Sequence, residues 1–149
     1  MLHVLKYKVL FLCFAGTTAL GAVLEALNKR SLTNLQNVHP DLVKVVKQAA
    51  ALNPQAGAVV IQGGRTLAQQ KRNIAKGVSW TLNSKHLKQK TGYYHAVDIA
   101  IIRNGRLIND LRYYDDFSLT MKKVAKVNNV CIIYGGDWRV KDGYHYEIC

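Results

Sequence analysis

At 149 residues the chain has room for one domain and not for two, and the 119 residues after position 30 suffice for a single modest core. Twenty-one Lys and Arg against nine Asp and Glu give a net charge of +12, spread without a dense basic arm. That charge favours polyanionic partners of any kind, whether nucleic acid, anionic lipid or an acidic cell wall, and charge alone does not choose among them.

In chain order, the first signal is a run without charged residues at 9–24, preceded by Lys6 and Lys8 and followed by Glu25, Lys29 and Arg30. Sixteen residues reach about 24 Å as a helix, short of the roughly 30 Å hydrocarbon core, so this is a marginal span. Its second half is rich in small residues, and Ala19-Leu20-Gly21 also suits a signal peptidase. A cleaved export signal, a permanent anchor and a weakly held anchor that later leaves the bilayer are all open. Lys/Arg counts on the two flanks are balanced and do not set the topology.

Ser31 can then cap a short helix, and Pro40-Asp41 starts another that runs to about Leu52. The stretch 58–62 reads as a strand, and Thr66 opens a helix to about Lys76. Residues 96–102 are apolar and β-branched and end at Asn104-Gly105, which predicts a buried strand and a turn. An amphipathic helix is expected over 114–127, with Phe117, Leu119, Met121, Val124 and Val127 as core positions. A strand at 130–134 and a terminal strand at 144–148 complete the order, which gives a small α+β domain with helices packed on a short sheet.

Within that frame a few residues point to chemistry. Asp98 is a carboxylate in a strand that otherwise reads as core, and a buried acid needs a cation, a metal or a proton. Strand alternation puts it on the face of Ala96 and turns His95 the other way. On the last strand His145 and Glu147 share one face and Tyr144 and Tyr146 the other. His86, Asp98 and His145 are candidate zinc ligands, because catalytic zinc takes three His or carboxylate ligands and leaves a fourth position for water. Asp142, in a turn with Gly143, is the candidate general base; Glu147 is a candidate partner that orients a ligand.

Arg65, between a strand and a helix, can hold a substrate carboxylate or an oxyanion, and can equally be a surface arginine. Ser84 can donate to substrate or simply cap a turn. Tyr93 and Tyr94 can face substrate, though aromatic loop residues more often pack; Asp137-Trp138 reads as scaffold and His39 as a helix-entry residue. Taken one at a time, each of these has a structural explanation, and the joint pattern carries the case. Cys13, Cys131 and Cys149 lack the paired spacing of a thiolate zinc site. Cys131 and Cys149 can pair in an oxidising compartment, but two inert thiols are the expectation.

These residues resemble the motifs of the zinc-dependent peptidoglycan peptidases, a VanY-like family of D-alanyl-D-alanine carboxypeptidases and phage L-alanyl-D-glutamate endopeptidases. Their pattern is S-x-H-x-x-G-x-A-x-D followed by a terminal D/E-x-x-H. Ser84, His86, Ala96 and Asp98 match the first part, and Asp142 and His145 the second. Gln62-Gly63-Gly64-Arg65-Thr66, Gly135-Gly136-Asp137-Trp138 and the entry segment 35–45 support it, so the resemblance covers roughly 31–149. One departure stands out: five extra residues lie between His86 and Asp98, with Gly92 as a displaced family glycine. A longer loop costs little closure entropy, so Asp98 can still return to the metal.

The resemblance implies a small antiparallel sheet with packed helices carrying one zinc per chain, preceded by an N-terminal hydrophobic helix. Residues 1–30 are expected as a signal-anchor or signal segment and 31–149 as the peptidase domain. The implied substrate is the peptidoglycan stem peptide, with the cut expected between L-Ala and D-Glu in host lysis, by a monomer at the inner membrane or periplasm that has no nucleic-acid partner. A cell-wall-remodelling carboxypeptidase, and a membrane-anchored basic protein that binds a polyanion without catalysis, are the competing readings.

Overall fold

The computed structural model describes residues 27–149; the apolar run at 9–24, and with it the anchor reading, lies outside them. Leu27 is buried in the core, and α1 (Lys29–Asn34) follows, capped by the Asn28 side chain on the Ser31 amide. Ser31 was the expected cap. It is instead inside the helix and buried, where its hydroxyl donates to Asn28 Oδ1 and accepts from the Val60 amide at 3.0 Å. Asn caps as well as Ser, and the Ser31 hydroxyl serves a neighbouring strand.

Helix α2 (Pro40–Leu52) begins with proline at its first turn and with His39 as its cap, the imidazole accepting from the Asp41 amide. It buries Leu42, Val45, Val46, Ala49 and Ala50, an i, i+3, i+4, i+7, i+8 stripe. Gly57 then turns the chain at φ +73°, where a side chain would run into the Ile102 carbonyl. Strand β1 (Ala58–Gln62) leads to α3 (Leu67–Ala75), whose Thr66 and Gln69 satisfy each other's backbone amides in a capping box.

Strand β2 (Ala96–Arg103) turns through Asn104 and Gly105, both at positive φ, into β3 (Arg106–Leu107). The expected turn is therefore a two-residue hairpin, the geometry that Asn-Gly favours. Helix α4 (Leu111–Val127), capped by Asp110, starts three residues earlier than its apolar pattern and packs on α2. Its buried residues are Tyr114, Phe117, Ser118, Met121, Val124 and Ala125. Leu119 and Val127 are 66% and 79% exposed, against expectation. At 100° per residue Leu119 falls about 200° from Phe117, and Val127 is the last residue of the helix.

Strands β4 (Ile132–Tyr134) and β5 (His145–Ile148) complete an antiparallel sheet in the order β1-β2-β5-β4, with β3 on the end of β2. One face buries Val60, Val97, Ile99, Ile101 and Tyr146 against the helices, with Tyr146 stacked on Tyr134 at 5.0 Å. Alternation sends Asp98, His145 and Glu147 to the other face. Cys131 and Cys149 form a disulfide across β4 and β5, with Cα atoms 5.5 Å apart. This corrects the expectation of two free thiols, because strand register, which the sequence does not display, puts the Cys149 amide on the Cys131 carbonyl. Among the described residues no helix is long and apolar enough to cross a membrane.

Candidate metal centre

Three separate pieces of chain deliver the candidate ligands. Asp98 on β2 and His145 on β5 are register partners in the sheet, so pairing of the two strands places them side by side. His86 comes from the loop after α3. The Ser84 hydroxyl accepts from the His86 amide, and the His86 carbonyl accepts from the Arg65 amide, which ties the loop to the end of β1. The five extra residues fold into a short hairpin in which Lys88 bridges Tyr94, with Gly92 at φ +87° in open space at its turn. Tyr94 in turn pairs with Val38, and the His95 amide donates to the Lys85 carbonyl. The insertion is thus docked on the entry segment, and β2 begins where the ligand geometry needs it.

Asp98 Oδ1 lies 3.1 Å from His86 Nε2 and 3.3 Å from His145 Nδ1, and the two ring nitrogens are 3.3 Å apart. A tetrahedral zinc with bonds of about 2.0–2.1 Å sets its ligand atoms about 3.3 Å apart, so the triangle has the right edge length. The tautomers agree. His86 Nδ1 sits 2.6 Å from the Gly63 carbonyl, which can only accept, so Nδ1 carries the proton and Nε2 faces inward bare. His145 Nε2 sits 2.9 Å from Glu147 Oε2, so its Nδ1 is the bare nitrogen. Three lone-pair atoms then point at one another with no donor among them, and only a cation or a proton satisfies them together.

The electrostatics show how strongly this spot draws positive charge. Burial opposes ionisation of His145, but hydrogen bonds to Asp98 and Glu147, and their charges, outweigh it and push the imidazole up to about 9. Burial likewise raises Asp98, yet the hydrogen bonds and charges of His145 and His86 hold its carboxyl well below the usual carboxylate range. His86 and His145 are buried, and the Trp138 ring lies 5.0 Å from that of His145.

Residues 25–149 match the family described as phage L-alanyl-D-glutamate peptidase. The chain belongs to this family. It is 34% identical over 121 residues to the L-alanyl-D-glutamate peptidase of Escherichia phage T5, covering 80% of this chain and 86% of that one. It also resembles the crystal structure of the L-Ala D-Glu endopeptidase ChiX of Serratia marcescens, with a TM-score of 0.72 and 33% identity, over 81% of this chain and 87% of the other.

In this L-alanyl-D-glutamate peptidase fold the remaining candidates gather round a cleft of about 480 Å³ that His86, Asp98 and His145 open into. Asp142 and Glu147 line it, as does Ser84, whose contacts are those of a turn cap. Asp142 is half-buried, and its Oδ1 accepts from the Tyr144 amide. Gly135 makes room for it: a Cβ there would stand 2.5 Å from the Asp142 carbonyl oxygen and 3.0 Å from the His145 Cβ. Arg65 reaches the outer oxygen of Asp98 at 3.5 Å and donates to Gln62 and Gln70, at 2.6 and 2.7 Å. Its Nε is buried with no partner among the described residues.

Sequence reasoning missed Gln70, which is fully buried and bonded to Arg65, Ser79 and Thr81. Nothing local marks it, since its partners lie on two different segments. Trp138, read as scaffold, also lines the cleft.

Proposed function

We propose that this chain is a zinc-dependent peptidoglycan peptidase that hydrolyses the L-Ala–D-Glu bond of the stem peptide, as a phage-type endolysin in host lysis. The observation that carries it is the triangle of three bare ligand atoms at tetrahedral spacing, in a chain of this peptidase family. Two imidazole nitrogens and one carboxylate oxygen are the donor set of a catalytic zinc site, with one position left for solvent or substrate.

Zinc bound there supplies a Lewis acid and a water of near-neutral pKa. Asp142, at the cleft wall beside His145, takes the proton of the attacking water and hands it to the departing D-Glu amine as the C–N bond breaks. Glu147 holds His145 in the tautomer that presents Nδ1. Arg65 steadies Asp98, and its orphan Nε and positive charge support a role in holding substrate or transition-state oxygen. Ser84 fixes the turn that carries His86.

The N-terminal segment expected over 1–30 is proposed as a signal-anchor that brings a monomeric enzyme to the inner membrane and periplasm, supported by the uncharged run at 9–24 and its basic flanks, with the chain from Leu27 onward already part of the folded domain. An N-terminus found near Ala22 in the mature protein contradicts retention.

The activity is tested with the full chain on purified peptidoglycan, by mass analysis of the fragments. Cleavage between L-Ala and D-Glu that a chelator and Asp142→Ala both abolish is expected. Release of free D-Ala instead identifies a carboxypeptidase. Binding without any cleavage leaves a basic polyanion-binding protein.

A further inference from the structure

The segment between α3 and His86 is patterned the wrong way round for a loop that only covers a core. Val78, Trp80 and Leu82 alternate with Ser79 and Thr81, and it is the apolar set that faces solvent: Trp80 is 71% exposed. Ser79 and Thr81 between them are half-buried, and Gln70 reaches both. The Gln70 amide donates to Ser79 Oγ at 2.8 Å and to the Thr81 carbonyl at 2.6 Å, one bond on each side of Trp80. The same side chain accepts from Arg65, which touches the ligand Asp98. The indole is therefore an exposed aromatic surface whose backbone is pinned on both flanks and tied to the metal centre.

Trp80 also stands where two hollows meet. It lines the catalytic cleft, and it lines a second groove of about 490 Å³ with Lys71, Ile74, Thr81 and Leu82. The two hollows share Trp80 and Thr81 in their walls, so the indole borders both.

We propose that Trp80 is a stacking platform for the N-acetylmuramyl sugar that carries the stem peptide, so that the preferred substrate is the glycan-linked peptide. The proposal rests on the L-Ala–D-Glu reading above. In peptidoglycan the L-Ala amine is acylated by the lactyl group of that sugar, and one extended residue spans only about 3.3–3.6 Å. The sugar of a substrate cut after L-Ala has to lie against the wall of the cleft itself. A pyranose has an apolar C–H face that suits an indole and a rim of hydroxyl and amide groups that suits Lys71 and the Thr81 hydroxyl. A lipid would match the apolar side chains but not this polar rim, nor the place of Trp80 on the wall of the cleft. Pinning the platform before binding lowers the ordering cost when the sugar arrives.

The test compares kcat/KM of the full chain, Trp80→Ala and Trp80→Phe on two substrates that share the L-Ala–D-Glu bond, one carrying the muramyl group on L-Ala and one an acetyl group. The unaltered chain prefers the sugar-linked substrate. In Trp80→Ala that preference falls by about tenfold, about 1.4 kcal/mol, mainly through KM, and Trp80→Phe recovers part of it. An unchanged preference in Trp80→Ala overturns the proposal, whether or not both rates fall together. So does equal use of the two substrates by the unaltered chain, which leaves the peptidase activity standing. Cleavage of neither substrate at this bond overturns the activity and the proposal with it.

Discussion

Asp98 and His145 face each other as cross-strand partners of β2 and β5, and their inward atoms lie 3.3 Å apart with no hydrogen bond donor required of either once a cation is bound. In the absence of metal the same contact is made by a proton on His145. Its folded pKa of about 9 stands above the ordinary 6.5, so the charged imidazole stabilises the fold below pH 6.5, and that contribution is lost as the pH rises through 9. Zinc held at His145 Nδ1, as proposed, would displace this proton. Calorimetry in buffers of different ionisation enthalpy is expected to show His145 contributing about one released proton on zinc binding at pH 7.5 and none above pH 10, in addition to the proton lost by zinc-bound water. A proton count independent of pH contradicts the assignment of His145 Nδ1 as ligand.

Glu147 acts through the far side of the same ring. Glu147→Gln keeps an acceptor for the Nε2–H but loses the charge, and Glu147→Ala loses both. Zinc affinity, read by competition with a chromophoric chelator, should fall about 10–100-fold in Glu147→Ala and less in Glu147→Gln. Equal affinities in all three proteins contradict a role for Glu147 in orienting the ligand.

Gly135 gives way to the chain that carries Asp142 and His145. An added methyl has no space there, because the nearest atom is a backbone carbonyl oxygen and the next His145 Cβ. Gly135→Ala is expected to cost about 1–3 kcal/mol in unfolding and to weaken zinc binding with it. Full stability by denaturant titration contradicts the close approach.

The Cys131–Cys149 disulfide closes the segment that bears Asp142, His145 and Glu147, over a sequence separation of 18. Loops of this size gain roughly 3 kcal/mol from closure, so reductant should lower the thermal midpoint by roughly 6–12 °C. No change on reduction, verified by thiol titration, contradicts that contribution.

Much of this was legible in the sequence because the signals were local. Proline at the start of α2 and its apolar stripe fixed that helix, and strand alternation alone assigned His145 and Glu147 to one face. The motif residues His86, Asp98 and His145 do converge, despite the extra residues before Asp98, because the insertion closes on itself as a hairpin. What stayed hidden depends on register and packing. The pairing of Cys131 with Cys149 follows from how β4 meets β5, and the burial of Gln70 from partners at 65, 79 and 81. The exposure of Leu119 shows that apolar identity does not outrank helix phase.

The central claim is that His86 Nε2, Asp98 Oδ1 and His145 Nδ1 hold one zinc ion. Zinc-edge X-ray absorption on the full chain tests it most directly. One zinc per chain is expected, with two imidazole nitrogens and a carboxylate oxygen at about 2.0–2.2 Å and one imidazole fewer in His86→Ala. A chain that retains no zinc, or a ligand sphere that His86→Ala leaves unaltered, contradicts the account.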